Sequence, residues 1–341
     1  MKVSILGPAG SYSEIAARTF FETVYGCGIP TFLFCSSIEN TALRLFDPDE
    51  NGNTSDCAVI PIENSIEGAV GVSMDLLLEK DVSIVAELVL PVNHCLLVSE
   101  KTAQTPGFSP EIIDVIYSHP QGLYQCRTYI QKHLKNASFI EVDSTSKAAM
   151  RIAEMGAEEE GGPANAGGPT DAKIRAAIAS AEAGKTYGLK VADCQIQDHL
   201  NNSTRFLILI RSKTLQFLKE RAFHSHAFDS NVHILPENLS QTGSGSVFYK
   251  TSVIVSPLQD KPGALFHILE VFSDYSINLT RIESRPSKKS LGEYNFYIDF
   301  EGAPSNQNVA DALKLVEKRC LRLKILGTYG RILTGDGGLK Q

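Results

Sequence analysis

The rhythm of apolar runs constrains the fold of this chain more than any other feature. Before residue 215, short β-rich runs alternate with longer runs of helical spacing. The strand-like runs are Val3–Leu6, Thr31–Cys35, Cys57–Ile62, Ile112–Tyr117 and Ser138–Val142. Between them, Ser13–Val24, Ser37–Phe46, Val70–Leu78, Gly122–Leu134 and Thr145–Glu154 suit helices; in the first, Ile15, Ala16, Phe20 and Val24 form one stripe. Such alternation predicts a layered α/β fold with mostly parallel sheets. Val82–Val98 is strand-like almost throughout, broken at Pro91, and reads as a crossover joining two lobes.

From Lys250 the rhythm changes. A strand over Lys250–Pro257, a helix over Gly263–Tyr275, strands over Asn278–Arg285 and Glu293–Phe300, a helix over Asn308–Arg319 and a strand over Arg322–Tyr329 follow one another. This β-α-β-β-α-β order is a ferredoxin-like unit whose sheet leaves a face or edge open for a second copy. The expected division is therefore 1–215, a linker at 216–249 containing Pro236 and Gly243-Ser244-Gly245, and 250–335. Met155–Ala172, rich in Gly, Pro, Ala and Glu, reads as a mobile insert.

Composition removes several function classes. With 341 residues, 43% hydrophobic, 21% charged and a net charge of −7, the chain lacks the electrostatic footprint of nucleic-acid binding. No apolar run approaches the ~20 residues of a membrane span, and the apolar stretch at the N-terminus is too short for a signal peptide. The seven cysteines are odd in number, scattered and without a CxxC pair, which suits reduced core thiols in the cytoplasm.

Five polar clusters follow apolar strands or lead into them, where ligands of open α/β sheets gather. Gly7-Pro8-Ala9-Gly10-Ser11-Tyr12-Ser13-Glu14 opens a helix whose free N–H groups suit an anion, or is simply a helix start capped by Ser11 or Ser13. It matches neither a P-loop nor the dinucleotide fingerprint. In Pro61-Ile62-Glu63-Asn64-Ser65-Ile66-Glu67-Gly68, Glu63, Asn64 and Ser65 place an acid, an amide and a hydroxyl after a buried-looking strand. Ser118-His119-Pro120-Gln121, with Gln125 a turn further on, ends another strand; its histidine is a general base or a structural residue. Asp143-Ser144-Thr145-Ser146 and Gln197-Asp198-His199-Leu200-Asn201-Asn202-Ser203-Thr204-Arg205-Phe206 complete the set. Hydroxyls, amides, one arginine and helix starts suit a small polyanion; no metal-ligand spacing and no nucleophile elbow is present.

These motifs, in this order, resemble the prephenate dehydratase family. Gly7-Pro8-x-Gly10 followed by Ser11 in place of the family's threonine, Pro61-Ile62-Glu63-Asn64-Ser65, Ser118-His119-Pro120-Gln121, Ser144-Thr145-Ser146, Ala177-Ile178 and Asn202-Ser203-Thr204-Arg205-Phe206 carry the likeness. Gly263-Ala264-Leu265 and Glu283-Ser284-Arg285-Pro286 resemble the phenylalanine-binding signatures of an ACT domain. The resemblance implies a bilobal catalytic body like that of periplasmic binding proteins, a C-terminal ACT domain, prephenate as substrate, L-phenylalanine as effector, no cofactor or metal, and a homodimer or homotetramer. It implies the monofunctional form, since no chorismate mutase segment precedes Val3. It also implies roles. Thr204 donates to the leaving hydroxyl, with Asn64, Ser118 and Gln125 beside it. Ser11, Glu63, Ser65, Thr145 and Arg205 hold the substrate. Gly263, Ala264, Leu265, Asn278, Leu279 and Glu283–Pro286 hold phenylalanine. Arogenate as substrate, a non-enzymatic amino-acid sensor and a nicotinamide-dependent dehydrogenase are the competing readings; the missing glycine fingerprint counts against the last.

Overall fold

The computed structural model describes residues 1–24, 29–161, 173–216, 249–258, 261–288 and 292–333. The strands before residue 216 are β1 (Lys2–Leu6), β2 (Thr31–Cys35), β3 (Cys57–Asn64), β4 (Gly68–Ala69), β5 (Val82–Pro91), β6 (Cys95–Val98), β7 (Val115–Ser118), β8 (Ser138–Glu141), β9 (Arg175–Ala179), β10 (Lys190–Cys194) and β11 (Ser203–Arg211). They form two sheets, β5-β11-β3-β1-β2 in lobe one and β10-β6-β9-β7-β8 in lobe two. The chain passes between lobes twice, at 92–94 and again at 195–202.

The sheets are mixed where the rhythm implied mostly parallel ones. In lobe one, β11 runs against both neighbours; in lobe two, β6 does the same. Each of these strands enters directly from the other lobe, at the edge where the helix-linked strands end, so it points the opposite way. Helices α1 (Tyr12–Arg18), α2 (Ile38–Leu43), α3 (Gly71–Glu79), α4 (Glu100–Ala103), α5 (Pro120–Gln125), α6 (Arg127–His133), α7 (Thr145–Gly161) and α8 (Ala181–Thr186) flank the sheets. The helix expected over Gly122–Leu134 is two, meeting at Cys126, and Pro110–Ile112 is a short tight turn capped by Ser109, not the start of β7. Part of the expected mobile insert is helical, because α7 runs on through Met155, where Ala and Glu favour a helix. Residues 162–172 of the insert and 217–248 of the expected linker lie outside the described residues. Cys194, expected in the core, is exposed on an edge strand, its Sγ 2.9 Å from that of Cys95; both are free. Among the described residues no helix is long and apolar enough to cross a membrane.

The C-terminal unit comprises β12 (Tyr249–Pro257), α9 (Ala264–Asp274), β13 (Leu279–Pro286), β14 (Tyr294–Glu301), α10 (Gln307–Arg319) and β15 (Cys320–Leu333), with sheet order β13-β14-β12-β15. Its two helices cover one face, burying Val253, Ile268, Phe272, Ile298, Phe300 and Val316. The other face, expected to be open, is covered by lobe one: Ile254, Tyr297, Leu326 and Tyr329 share a core with Ile60, Met74, Leu77 and Leu207. Lys324 reaches the end of α3, where its ammonium donates to the carbonyls of Leu77 (2.7 Å) and Lys80 (2.6 Å), a charge complementary to a helix C-terminus. β15 then continues until Arg331–Leu333 pair in parallel with Glu87–Val89, so the two sheets become one. β13 remains the open edge.

An ion cluster closes this junction. Neighbours on a strand face opposite ways, so Arg205 and Glu63 turn away from Thr204 and Asn64, against the expectation that both hold substrate. Arg205 Nε lies 2.7 Å from Glu87, Nη2 2.6 Å from Asp299 and Nη1 3.4 Å from Glu63. Lys250 approaches Glu87 at 3.0 Å, and Arg281 approaches Glu63 at 3.1 Å. Three cations thus meet Glu63, Glu87 and Asp299, with Glu283 a further partner of Arg281 at 3.7 Å. Burial opposes the Arg205 charge, but Asp299, Tyr329 and Glu87 outweigh it, and its pKa is raised.

Two outcomes test the junction. A methyl at Gly327 would lie 2.2 Å from the Ile84 carbonyl oxygen, a backbone atom that must move; Gly327→Ala should destabilise by about 1–3 kcal/mol in urea unfolding. Arg205→Met leaves Glu87, which is fully buried, and Asp299 with one cation fewer. It should destabilise by about 3–5 kcal/mol, whereas an arginine whose business is ligand binding would show unchanged unfolding.

Candidate functional site

The polar residues that the strand ends promised converge where the lobes meet. In the β3–β11 pair, Thr204 stands opposite Asn64, so the two side chains share one face. Asn64 closes the buried end of β3, and its Oδ1 accepts the backbone N–H groups of Ile66 (3.0 Å) and Glu67 (3.2 Å). Backbone N–H groups only donate, so this oxygen is identified and Nδ2 must donate. It does so to Asn202 Oδ1 at 2.8 Å and to Thr204 Oγ1 at 3.0 Å, with the Ser203 carbonyl a longer contact at 3.3 Å. The Thr204 oxygen therefore accepts, and its own proton is left to be given elsewhere.

The direction carries onward. Asn202 Oδ1 accepts, so its Nδ2 donates to Gln125 Oε1 at 2.9 Å. Gln125, the last residue of α5 in lobe two, thus presents its own Nε2, which lies 3.5 Å from Glu67 Oε1. The chain of amides runs from lobe one through a crossing segment into lobe two. Asn64, Asn202 and Gln125 are 9%, 1% and 4% exposed, so the orientations are held in a poorly solvated place where hydrogen bonds are strong. The backbone carbonyl of Gln125 also accepts from Asp198 N–H at 2.7 Å, fixing α5 to the return crossing.

Other expected site residues hydrogen-bond to the scaffold. Ser11 caps α1: its hydroxyl donates to the Leu6 carbonyl at 2.8 Å and accepts the Glu14 N–H at 3.3 Å. Gly10 makes room for lobe two, since a Cβ there would lie 2.8 Å from Ala183 Cα. Ser65 donates to the Asn201 carbonyl (3.3 Å) and accepts from Ser203 N–H (2.9 Å), locking the turn after β3 to the start of β11. Ser118, fully buried, donates to the Ile178 carbonyl at 2.9 Å. A Cβ on Gly122 would meet Ser118 Oγ at 2.6 Å and Thr145 Cγ2 at 3.2 Å, so Thr145 and Ser118 flank the start of α5. His119 is its N-cap, with Nδ1 accepting the Gln121 N–H at 3.2 Å. Glu67 and Asn202 were not singled out as site residues; both belong to motifs already noticed, but only their positions between the lobes give them a part. His94, with no motif around it, was missed altogether.

In the C-terminal unit, Gly263, Ala264 and Leu265 border a cleft of about 670 Å³ at the start of α9, together with Phe266, Tyr294 and Asn295. Asn278 precedes edge strand β13, with its carbonyl accepting from Glu301 N–H at 3.0 Å, and Leu279 begins that strand. Glu283, Ser284 and Pro286 lie along it beside Tyr297, Phe296 and Tyr294. Arg285 reaches across to α3, its Nη2 3.3 Å from Asp75, and does not border the cleft. Lys288 joins the same carboxylate at 2.8 Å, and, although burial works the other way, these cations hold the Asp75 pKa below the ordinary value.

Comparison with known proteins follows the same division. Residues 3–214 match the family model described as prephenate dehydratase, and residues 252–316 match the ACT domain model. The chain is 38% identical over 323 residues to a prephenate dehydratase of Methanocaldococcus jannaschii, covering 94% of this chain and 95% of that one. It is 34% identical over 335 residues to a bifunctional chorismate mutase/prephenate dehydratase of Aquifex aeolicus, covering 98% of this chain and 74% of that one. Among solved structures, the prephenate dehydratase of Arthrobacter aurescens in complex with L-Phe superimposes with a TM-score of 0.71 at 28% identity, covering 97% of this chain and 90% of that one. With its two-lobed site matched by that family model and relatives above 30% identity along nearly all its length, this chain belongs to the prephenate dehydratase family.

Proposed function

We propose that the chain converts prephenate to phenylpyruvate with Thr204, Asn64 and Gln125 as its reacting-centre residues, and that L-phenylalanine inhibits it from the ACT unit. In this reaction the bond from the ring to its carboxylate breaks and its electron pair enters the ring. The ring carbon–oxygen bond breaks at the far side, and the departing hydroxide takes a proton to become water. Carbon dioxide and phenylpyruvate are the other products. Aromatisation provides the driving force, so the protein has to orient the substrate and help hydroxide leave.

The observation that carries this reading is the hydrogen-bond direction at Thr204. Its oxygen already accepts from Asn64 Nδ2 at 3.0 Å, so the hydroxyl proton is the part offered to a ligand. A threonine hydroxyl is a weak acid, and preorganised donation to an oxygen gaining charge is the contribution it can make. Gln125 Nε2 supplies a second neutral donor from lobe two, with Thr145 and the start of α7 available for a carboxylate. Arg205 and Glu63 contribute from behind the strands, and Ser11 and Ser65 hold loops.

For the effector, the cleft at Gly263–Leu265 and the open edge β13 support a site completed by a second copy of the chain, as a homodimer or homotetramer. The helix start there favours a carboxylate. Scattered cysteines without CxxC spacing fit a cytoplasmic setting.

Thr204→Val keeps the shape and removes the donor. Its kcat should fall roughly 10²–10³-fold with little change in KM or melting temperature; near-normal turnover by the folded variant would remove Thr204 from the chemistry. Phenylpyruvate formation should be suppressed by added L-phenylalanine, with sedimentation reporting the assembly. Turnover indifferent to phenylalanine would leave the ACT unit without this effector, and faster turnover of arogenate than of prephenate would change the substrate.

A further inference from the structure

Gln125 keeps its amide in one orientation only if the groups around Oε1 are donors. Asn202 supplies one of them. The other neighbour of that oxygen is His94 Nε2, at 2.9 Å. His94 lies in the first crossing between the lobes, immediately before β6, and is 2% exposed. The second crossing fastens it, since its backbone N–H donates to Gln197 Oε1 at 3.0 Å. From lobe one, the ring of Tyr12 meets it edge-on with centroids 6.4 Å apart. The imidazole is therefore held by both crossings and both lobes, and its polar contact is to the lobe-two amide that is linked to Thr204 through Asn202 and Asn64.

We propose that His94 is a positioning residue for the reaction: as a neutral imidazole protonated on Nε2, it donates to Gln125 Oε1 and holds Gln125 Nε2 as a donor toward the substrate. Two anchors then define the amide chain, the backbone N–H groups of Ile66 and Glu67 at the Asn64 end and His94 at the Gln125 end. The opposite tautomer would place a lone pair on Nε2 and draw the amide NH₂ of Gln125 towards it. That NH₂ would then oppose the NH₂ of Asn202, and the chain would break in the middle.

The other ring nitrogen agrees with this assignment. His94 Nδ1 is buried and has no hydrogen-bond partner. As a bare lone pair it is an unsatisfied acceptor. As the N–H of an imidazolium it would be an unsatisfied donor carrying charge, which costs more. Burial correspondingly holds the His94 pKa below the ordinary imidazole value, while the contact with Gln125 works the other way.

The proposal rests on the prephenate reading for its kinetics but not for its tautomer. Nitrogen-15 shifts of the histidine rings in the unaltered protein, assigned by comparison with His94→Gln, should show Nε2 protonated and Nδ1 bare. A protonated Nδ1 at neutral pH overturns the proposal whatever the substrate proves to be. Kinetically, His94→Leu should lower kcat by about tenfold or more with a smaller change in KM, and His94→Gln, which retains a terminal N–H, should recover most of the loss. In a Gln125→Met background, His94→Leu should cost less than about twofold further, because the residue acts through Gln125. Independent, multiplying losses, or a glutamine variant no better than the leucine one, would reduce His94 to a packing residue. Should the leucine variant not fold, the tautomer and the glutamine variant decide the matter.

Discussion

When two antiparallel strands pair, residues directly opposite share a face and their neighbours share the other. In this protein that rule, applied to β3 and β11, sorts four adjacent side chains into two assignments. Asn64 and Thr204 go forward to the meeting of the lobes; Glu63 and Arg205 go back to the C-terminal unit. Because the side-chain period is two, a slip of one residue in either strand would exchange the sets. A β-bulge in β3 opposite Arg205 and Phe206 resets the alternation, and beyond it Ile60, Leu207 and Leu209 face the shared cluster beneath the C-terminal sheet and hold the register.

The back face explains why the C-terminal unit is more than an appendage. Its buried Asp299 and Tyr329 and half-buried Lys250 join a cluster with Glu87 and Arg205, and its last strand extends the lobe-one sheet. Isolated ionic groups in such a place would be costly, and the pairing of opposite signs is what makes the junction tolerable. The strands that carry Asn64 and Thr204 are thus the strands on which the ACT unit is seated.

The front face works by direction rather than charge. Every group in the amide chain is neutral, and its order descends from one certainty, that backbone N–H groups donate to Asn64 Oδ1. Each amide then has one way round. A hydroxyl whose oxygen is already occupied is a better oriented donor than a free one, and preorganisation of this kind is where a weak acid gains catalytic value. The crossings between lobes supply Asn202 and His94, so the site is built as much from the connections as from the lobes.

Sequence alone determined the strand–helix order, the βαββαβ unit and the motifs that gather at the lobe junction, because these depend on local periodicity and local polarity. It also pointed to Asn64, Thr204 and Gln125, whose types suit neutral donation. It did not distinguish Thr204 from Arg205 as partners of one ligand, since adjacency in sequence conceals opposite directions on a strand. Ser11, Ser65 and Ser118 read as ligands because a hydroxyl at a strand end looks the same whether it meets a substrate or a backbone carbonyl. Tertiary structure supplied the backbone partners of those hydroxyls, along with the surroundings of His94 and Asn202 and the covering of the C-terminal sheet. Their meaning lies in contacts such as Asn64 with Asn202 or Arg205 with Asp299, between residues far apart in the chain. Local pattern carries no record of which distant atom fills the space in front of a side chain.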